Sequence, residues 1–336
     1  MKQGTTIKDL VQALDTISGG RVITSPGAVG NPFVVTKSSN IPGKAVTEMP
    51  GLVVGDPEKP VKKVAVMMTL TESAIELAGA SGVDAVVAHH PVADAANSGG
   101  VLMKTYVDLY NVAVLELHEA FHGRHPGIAY LHGHDAAFAD IAYSHIPGNI
   151  LFVGKALEGV ATLGDMLDRI DSFMGLDTEK ALLEAEREIR DCPGLEETAV
   201  CTRGKILAGT PDSTVSKVMH IFPHTGFTPV HMERALNEHP GVDTVLATIS
   251  RVFPDHDLVK KARELGLNFI CGNSHALEIM ENGLPLARAI RILLPGTEVV
   301  IFKERMTSIP VDAFGSDRLQ AYATDMAENY LTGKSL

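Results

Sequence analysis

An α/β fold is what this sequence predicts, and three observations carry that prediction. Short apolar, β-branched runs alternate with helical stripes along most of the chain. Val61–Leu70, a helix opened by Thr71 and running to about Ala80, and Asp84–Pro91 make a βαβ unit, whose strands should be parallel and whose connection right-handed. After the break at Cys192-Pro193-Gly194 the same alternation starts again, so two α/β halves are expected. A length of 336 residues is long for one core and points the same way.

Taken in order, Ile7, Leu10, Val11, Leu14 and Ile17 form a helical stripe behind a Thr5/Thr6 cap. Residues 18–60 are rich in Gly, Pro, Ser and Asn and read as an irregular excursion with short strands near Phe33-Val34-Val35 and Leu52-Val53-Val54. The βαβ unit follows, then a helix over Val101–Tyr110 and a strand over Val112–Leu117. The Gly123–Gly148 segment reads as loop with one helix around Ala136–Tyr143. Thr162 caps a helix carrying Leu163, Met166, Leu167, Ile170 and Phe173, and a charged helix spans Asp177–Arg190. Strands near Thr198–Thr202 and Lys205–Ala208, a helix near Ser213 and another over His231–Glu238 come next. The strand Thr244–Ile249, a helix from Asp255 to Leu265, the strand Asn268–Gly272, a helix over His275–Asn282 and the strand Val299–Phe302 complete the alternation. Ser316 caps a terminal helix with Leu319, Tyr322, Met326 and Tyr330. The expected division is a first α/β domain over 1–155, a second over 156–315, and a C-terminal helix over 316–336.

Composition narrows the function. A net charge of −12 argues against a nucleic-acid backbone or an anionic membrane as partner. It leaves room for a small anionic substrate, because bound divalent ions invert the local field. Cys192, Cys201 and Cys271 are odd in number and lack C-x-x-C spacing, which fits a reducing compartment. The amino terminus lacks the apolar core of a signal peptide, and no apolar run approaches the ~20 residues of a spanning helix. A cytoplasmic location is the expectation.

Chemistry concentrates in three clusters. His89 and His90 stand at the carboxyl end of the Asp84–Ala88 run, where ligands bind in open α/β sheets, and Pro91 stops the strand. Strand alternation would throw the two rings to opposite faces. His118 ends the next strand and begins His118-Glu119-Ala120-Phe121-His122, an H-E-x-x-H match. A zinc protease would need residues 112–125 to be one helix, and the preceding run is strand-like. His118 and His122 are therefore read as metal ligands on a turn, with Glu119 as candidate general base. In Gly272-Asn273-Ser274-His275-Ala276-Leu277-Glu278, His275 and Glu278 share a helix face, and a carboxylate can bridge two ions. His125, His132 and His134 read as solvated loop residues or as further ligands.

Pro50-Gly51-Leu52-Val53-Val54-Gly55-Asp56, then Val61–Thr71, then Asp84–Pro91, resemble the NIF-three-like dinuclear metal-centre family, whose members are often called GTP cyclohydrolase 1 type 2 homologues. The similarity in cluster order spans roughly residues 50–305. It implies a NIF-three-like fold of two α/β domains with mixed sheets flanked by helices, and a metal site in the cleft at strand ends. His89, His90, His118 and Glu278 match the family's ligands. His122 stands where the family has Asp, Thr69 where it has another Asp, and the last family His falls on Ser274 rather than His275. The resemblance also implies two divalent ions (Zn, Fe or Mn) and a ring-like, hexameric homo-oligomer with inward-facing sites.

Three functions follow from these observations. The first is a dinuclear metal-dependent hydrolase of a small nucleotide-like or phosphorylated substrate, cyclohydrolase-like by resemblance. The second is a non-catalytic metal-binding or regulatory scaffold. The third is the H-E-x-x-H protease.

Overall fold

The computed structural model describes residues 4–23, 30–38, 45–92, 103–139, 151–223, 226–247, 252–272 and 278–332. The first helix, Ile7–Ser18, begins at Thr6, whose hydroxyl accepts from the Asp9 amide while the Asp9 carboxylate accepts from the Thr6 amide. The excursion that follows contains the antiparallel pair β1 (Val35–Ser38) and β2 (Ala45–Glu48), then β3 (Gly51–Val54). β4 (Lys63–Met67), the helix Glu72–Ala80 and β5 (Ala85–Ala88) form the expected βαβ unit, with Thr71 as cap. The helix Met103–Tyr110 leads to β6 (Ala113–Glu116).

Beyond β6 come a short helix Gly127–Leu131, β7 (Ala137–Phe138), β8 (Phe152–Lys155) and the helix Leu163–Met174. The helix Leu176–Arg190 and β9 (Glu196–Glu197) precede β10 (Lys205–Ala208) and β11 (Lys217–Ile221). The helix Pro229–Glu238, β12 (Thr244–Ala247), the helix Asp257–Glu264 and β13 (Asn268–Cys271) follow. A π-helical segment, Ile279–Gly283, runs into the helix Leu284–Leu293, then come β14 (Glu298–Ile301), β15 (Thr307–Ser308) and the helix Asp317–Met326.

Two mixed sheets result. The five-stranded sheet has the order β14-β4-β5-β6-β3, with β3 antiparallel to β6 and the other pairs parallel. The six-stranded sheet has the order β10-β13-β12-β11-β8-β7, parallel only through β13-β12-β11. Helices cover both faces of the first sheet. On one side Val64, Val66, Val87 and Leu115 pack with Ile7, Leu10 and Leu14, and with Leu286 and Ile290. On the other, Ala65, Met67, Val86 and Val114 pack with Ile75, Ala78 and Val107. This strict alternation is why the strands read as continuous apolar runs. In the second sheet Met219, Ile221, Val245 and Phe269 meet Met232 and Leu258, while Val218, Leu246 and Ile270 meet Leu163 and Met166.

The chain divides into two compact units. One is Met1–Met174 with Arg203–Glu304 and holds both large sheets; the other is Gly175–Thr202 with Arg305–Leu336. Inside the smaller unit β15 pairs with β9, and Leu183, Cys192 and Leu195 form a small core.

Four local expectations differ from what is seen. Residues Thr198–Cys201 are a helical turn, not a strand, because the buried Glu197 carboxylate accepts from the Ala199 and Val200 amides and so starts a helix. No helix forms near Ser213, whose hydroxyl instead closes a turn onto the Thr210 amide directly before β11. Ala137–Phe138 are strand where a helix over 136–143 was expected, and residues 140–143 lie outside the described set. β8 and β11 were not anticipated as strands at all.

Leu115 is fully buried at the centre of the first sheet's core. Leu115→Ala should lower unfolding free energy by about 2–5 kcal/mol, read from the urea midpoint; a loss under about 1 kcal/mol would show that this core face is not as packed as described.

Candidate metal centre

Parallel register brings the site together. Met67 faces Ala88, and Ala88 faces Glu116, so β4, β5 and β6 end at one edge. The ladder continues one step further: the His89, His90 and Leu117 amides donate to the Met67, Met68 and Ala88 carbonyls at 2.9, 2.8 and 3.0 Å. Beyond Ala88 the chain bends, and the two imidazoles do not diverge as strand alternation predicts. Their ring centres are 5.7 Å apart. Both reach Glu278, at 3.6 Å from His89 Nε2 to Oε1 and 2.8 Å from His90 Nε2 to Oε2.

His118 and His122 sit on a single turn after β6, closed by the Phe121 and His122 amides donating to the His118 carbonyl. Arg21 holds that turn from outside, its Nη1 donating to the Ala120 and His122 carbonyls. Residues 112–125 are therefore strand followed by turn, and the continuous helix that a zinc protease requires is absent. The turn nevertheless gathers ligands. Donor atoms of His89, His118 and His122 lie within 4.8 Å of one another. Two imidazoles on one tetrahedral ion at ~2.0 Å place their ring centres ~5 Å apart. Here the centres are 5.0 Å apart for His89–His118, 4.7 Å for His118–His122 and 5.5 Å for His89–His122.

A second group shares His118. Glu48, the last residue of β2, is buried with Oε1 3.0 Å from His118 Nδ1, and Glu119 has Oε1 3.8 Å from the same nitrogen. Glu48, His118 and Glu119 also have donor atoms mutually within 4.8 Å. Glu48 was missed in the sequence, where it sits in a Gly- and Pro-rich stretch; its place two residues before Pro50-Gly51 was the available signal. Glu116 braces this corner, one oxygen accepting from the Met49 amide and the other from the Val92 amide, both at 2.8 Å.

The electrostatics split the imidazoles into two kinds. Burial pushes His89 down to about 3, and its Nδ1–H donates to the Leu117 carbonyl at 2.8 Å, so Nε2 carries the lone pair. Burial, then the neighbouring His122, also pushes His118 well down. His90 and His122 move upward: burial opposes their charge, but Glu278 beside His90 and Glu119 beside His122 outweigh it. The carboxylates that raise His90 and His122 against burial supply the negative field a divalent cation needs. His89 Nε2 is buried with no hydrogen-bond partner, an orphaned acceptor of the kind that a bound cation would satisfy. A mixed nitrogen and carboxylate donor set suits a borderline ion such as zinc or iron.

Of the residues expected from the sequence, His89, His90, His118, His122 and Glu278 come together. Glu119 abuts them, with Oε2 3.2 Å from His122 Nδ1. His275, with Ser274, lies outside the described residues. Thr69, in place of a family Asp, holds its hydroxyl 2.8 Å from His90 Nδ1. His125 is apart from the cluster and accepts the Gly127 amide. His132 and His134 are not solvated loop residues; both are buried, beside His220.

The DUF34/NIF3 family model (NGG1p interacting factor 3) matches residues 35–98, the segment that carries Glu48 and His89-His90-Pro91. No functionally curated protein matches the sequence. Among solved structures, the fold is similar to "protein ybgI, unknown function" at TM-score 0.54 and 16% identity, covering 89% of this chain and 98% of that one. It is similar to reduced HcgD from Methanocaldococcus jannaschii at TM-score 0.56 and 12% identity, over 89% and 98%. A Bacillus cereus protein related to NIF3 aligns at TM-score 0.54 and 11% identity, over 90% and 98%. At such identities the likeness is one of fold. The family match itself is confined to residues 35–98, the segment that bears the histidine pair.

Proposed function

We propose that the cluster is a dinuclear divalent-metal centre and that the protein is a metal-dependent hydrolase of a small phosphorylated or nucleotide-like molecule, in the manner of the GTP cyclohydrolase 1 type 2 homologues it resembles. The observation that carries this reading is the pair of overlapping donor groups, His89–His118–His122 and Glu48–His118–Glu119, with Glu278 turning a separate oxygen to each of His89 and His90. Residues His89, His90, His118, His122, Glu48 and Glu278 would hold the ions, with His275 as a further ligand. A pair of divalent ions supplies Lewis acidity for hydrolysis.

The chain's own groups do the rest. Leu117 and Thr69 fix the orientation of His89 and His90 through their Nδ1 atoms. Glu119, buried against His118 and His122, is the candidate proton acceptor and shares the proton at His122 Nδ1. A narrow recess lies beside His122, lined by His125, Phe152, Phe222 and Asn282.

A metal-holding scaffold is the second reading, favoured by the full burial of His89 and Glu278. Either way the protein would act in the cytoplasm as a homo-oligomer, without nucleic acid or membrane. No described helix is long and apolar enough to cross a membrane. Tyr322, Tyr330 and Leu331, exposed on a C-terminal segment that buries no residue, are the candidate self-association surface.

Metal content decides between these readings and an ordinary α/β protein. Glu278→Gln should weaken divalent-ion binding at least tenfold, and Thr69→Val by about tenfold, measured by calorimetric titration of zinc into the metal-free chain; unchanged affinities would sink the dinuclear centre. Uptake should also strengthen as pH rises from 6 to 8. Glu278 beside His90 and Glu119 beside His122 raise both imidazoles from their ordinary value despite burial, and a protonated imidazole must lose a proton to ligate. A pH-independent affinity over that interval would contradict the assignment of these two as ligands. Metal-loaded protein that hydrolyses no phosphate or nucleotide substrate would leave the scaffold reading.

A further inference from the structure

The first sheet delivers a further side chain to the edge that carries the centre, and it comes from β14. That strand runs parallel to β4 with Ile301 opposite Val66, and the Phe302 amide extends the ladder by donating to the Val66 carbonyl at 3.0 Å. Two residues on, the exposed Glu304 reaches Thr69, 235 residues earlier in the chain, and its Oε1 accepts the Thr69 amide at 2.5 Å. The Thr69 hydroxyl in turn is 2.8 Å from His90 Nδ1. The contacts thus run in series from Glu304 through Thr69 to His90, whose Nε2 stands 2.8 Å from Glu278 Oε2.

His89 and His90 are held in different ways. The His89 side chain is fully buried, and its Nδ1–H donates to the Leu117 carbonyl, a backbone group directly after β6. The His90 side chain keeps 14% of its surface exposed, so packing restrains its ring less, and the partner at its Nδ1 is a side-chain hydroxyl. That hydroxyl belongs to a residue on a bend, one position past the Met68 carbonyl that accepts the His90 amide. A hydroxyl orients an imidazole only as well as its own backbone is held. Glu304 supplies that hold, and a hydrogen bond to a carboxylate is roughly twice as strong as one between neutral groups.

We propose that Glu304 is a positioning residue of the centre: it fixes Thr69, and through the Thr69 hydroxyl it sets the ring of His90. What the ring is set for rests on the metal-centre reading above; the orientation itself does not. Ligating histidines commonly lean on a carboxylate or carbonyl at their second nitrogen, and losing such a partner costs about 10–100-fold in metal affinity. Here the carboxylate stands one residue removed, with the threonine between it and the imidazole. No local pattern marks Glu304, because it lies past the end of β14 and its partner is 235 residues away.

The test uses the full chain, freed of metal, and Glu304 is exposed, so its substitution leaves the core intact. Glu304→Ala should weaken zinc binding about tenfold in a calorimetric titration. Glu304→Gln keeps an oxygen for the Thr69 amide and should stay within about threefold of wild type. With Thr69→Val already in place, Glu304→Ala should cost less than about twofold more, because its route to His90 is gone. Equal losses in the Ala and Gln variants, or a full further loss in the double variant, overturn the proposal. Zinc binding that Glu278→Gln weakens and Glu304→Ala leaves intact refutes it too, while the centre stands. If the wild-type chain takes up no zinc, the centre falls and crystals decide the positioning. Metal-free Glu304→Ala should show the His90 ring turned off the Thr69 hydroxyl, and a ring in its wild-type place refutes the proposal.

Discussion

Glu278 is the constraint around which the candidate centre is arranged. A carboxylate at 1% exposure has given up nearly all of its hydration, a loss worth several kcal/mol that only close positive or hydrogen-bonding partners offset. Its partners are His89 and His90, and they reach it only because β4, β5 and β6 end in register at one edge. Shift β5 by one residue and the buried Val87 and Ala85 change faces with the histidines. The apolar core and the polar cluster thus fix the same alignment, and neither can be moved without the other.

Around that carboxylate the supporting contacts are short and come from the backbone. Glu116 ties the chain after β2 to the chain after the histidine pair, and Arg21 ties the His118–His122 turn from behind. The result explains how an H-E-x-x-H string serves without a protease helix. In a helix the i and i+4 histidines share a face over one full turn; here a turn brings the same pair within 4.7 Å of ring separation. The Glu between them then points into the interior against both rings rather than along a helix face.

How much of this could be read from the chain follows from what local pattern encodes. His89-His90-Pro91 announced itself because a proline ends an apolar run where strands of open sheets deliver ligands, and the capped helices at Thr6, Thr71 and Ser316 were equally plain. Glu48 was illegible because its strand has four residues and lies among turn-forming residues. β11 was hidden for a different reason: Lys217-Val218-Met219-His220-Ile221 spends an inward position on a histidine, so it breaks the apolar run that marks a buried strand. Short runs are ambiguous between helix and strand, which is how Ala137–Phe138 and Thr198–Cys201 came out reversed. Beyond the βαβ pairing of β4 with β5, sheet membership was not in the local pattern. β14 returns to the first sheet beside β4, and β8 joins β11 across some sixty residues of sequence.

The π-helical segment is where the two halves of the site chemistry meet. Pro285 has no N–H to give to the preceding turn, so a regular α-helical ladder cannot be continued back through Ile279–Gly283, and the turn widens. Widening changes where side chains point. Residues three apart lie ~60° apart around an α-helix, but over 100° apart at the roughly 4.4 residues per turn of a π-helix. Glu278 and Glu281 are three apart, and they face different histidines, His90 and His132. Asn282, one residue on, turns its amide back to Glu278 at 3.5 Å and lines the recess beside His122. A regular helix would have pointed both carboxylates into one crowded pocket, where like charges repel. The wide turn instead gives each histidine cluster its own carboxylate.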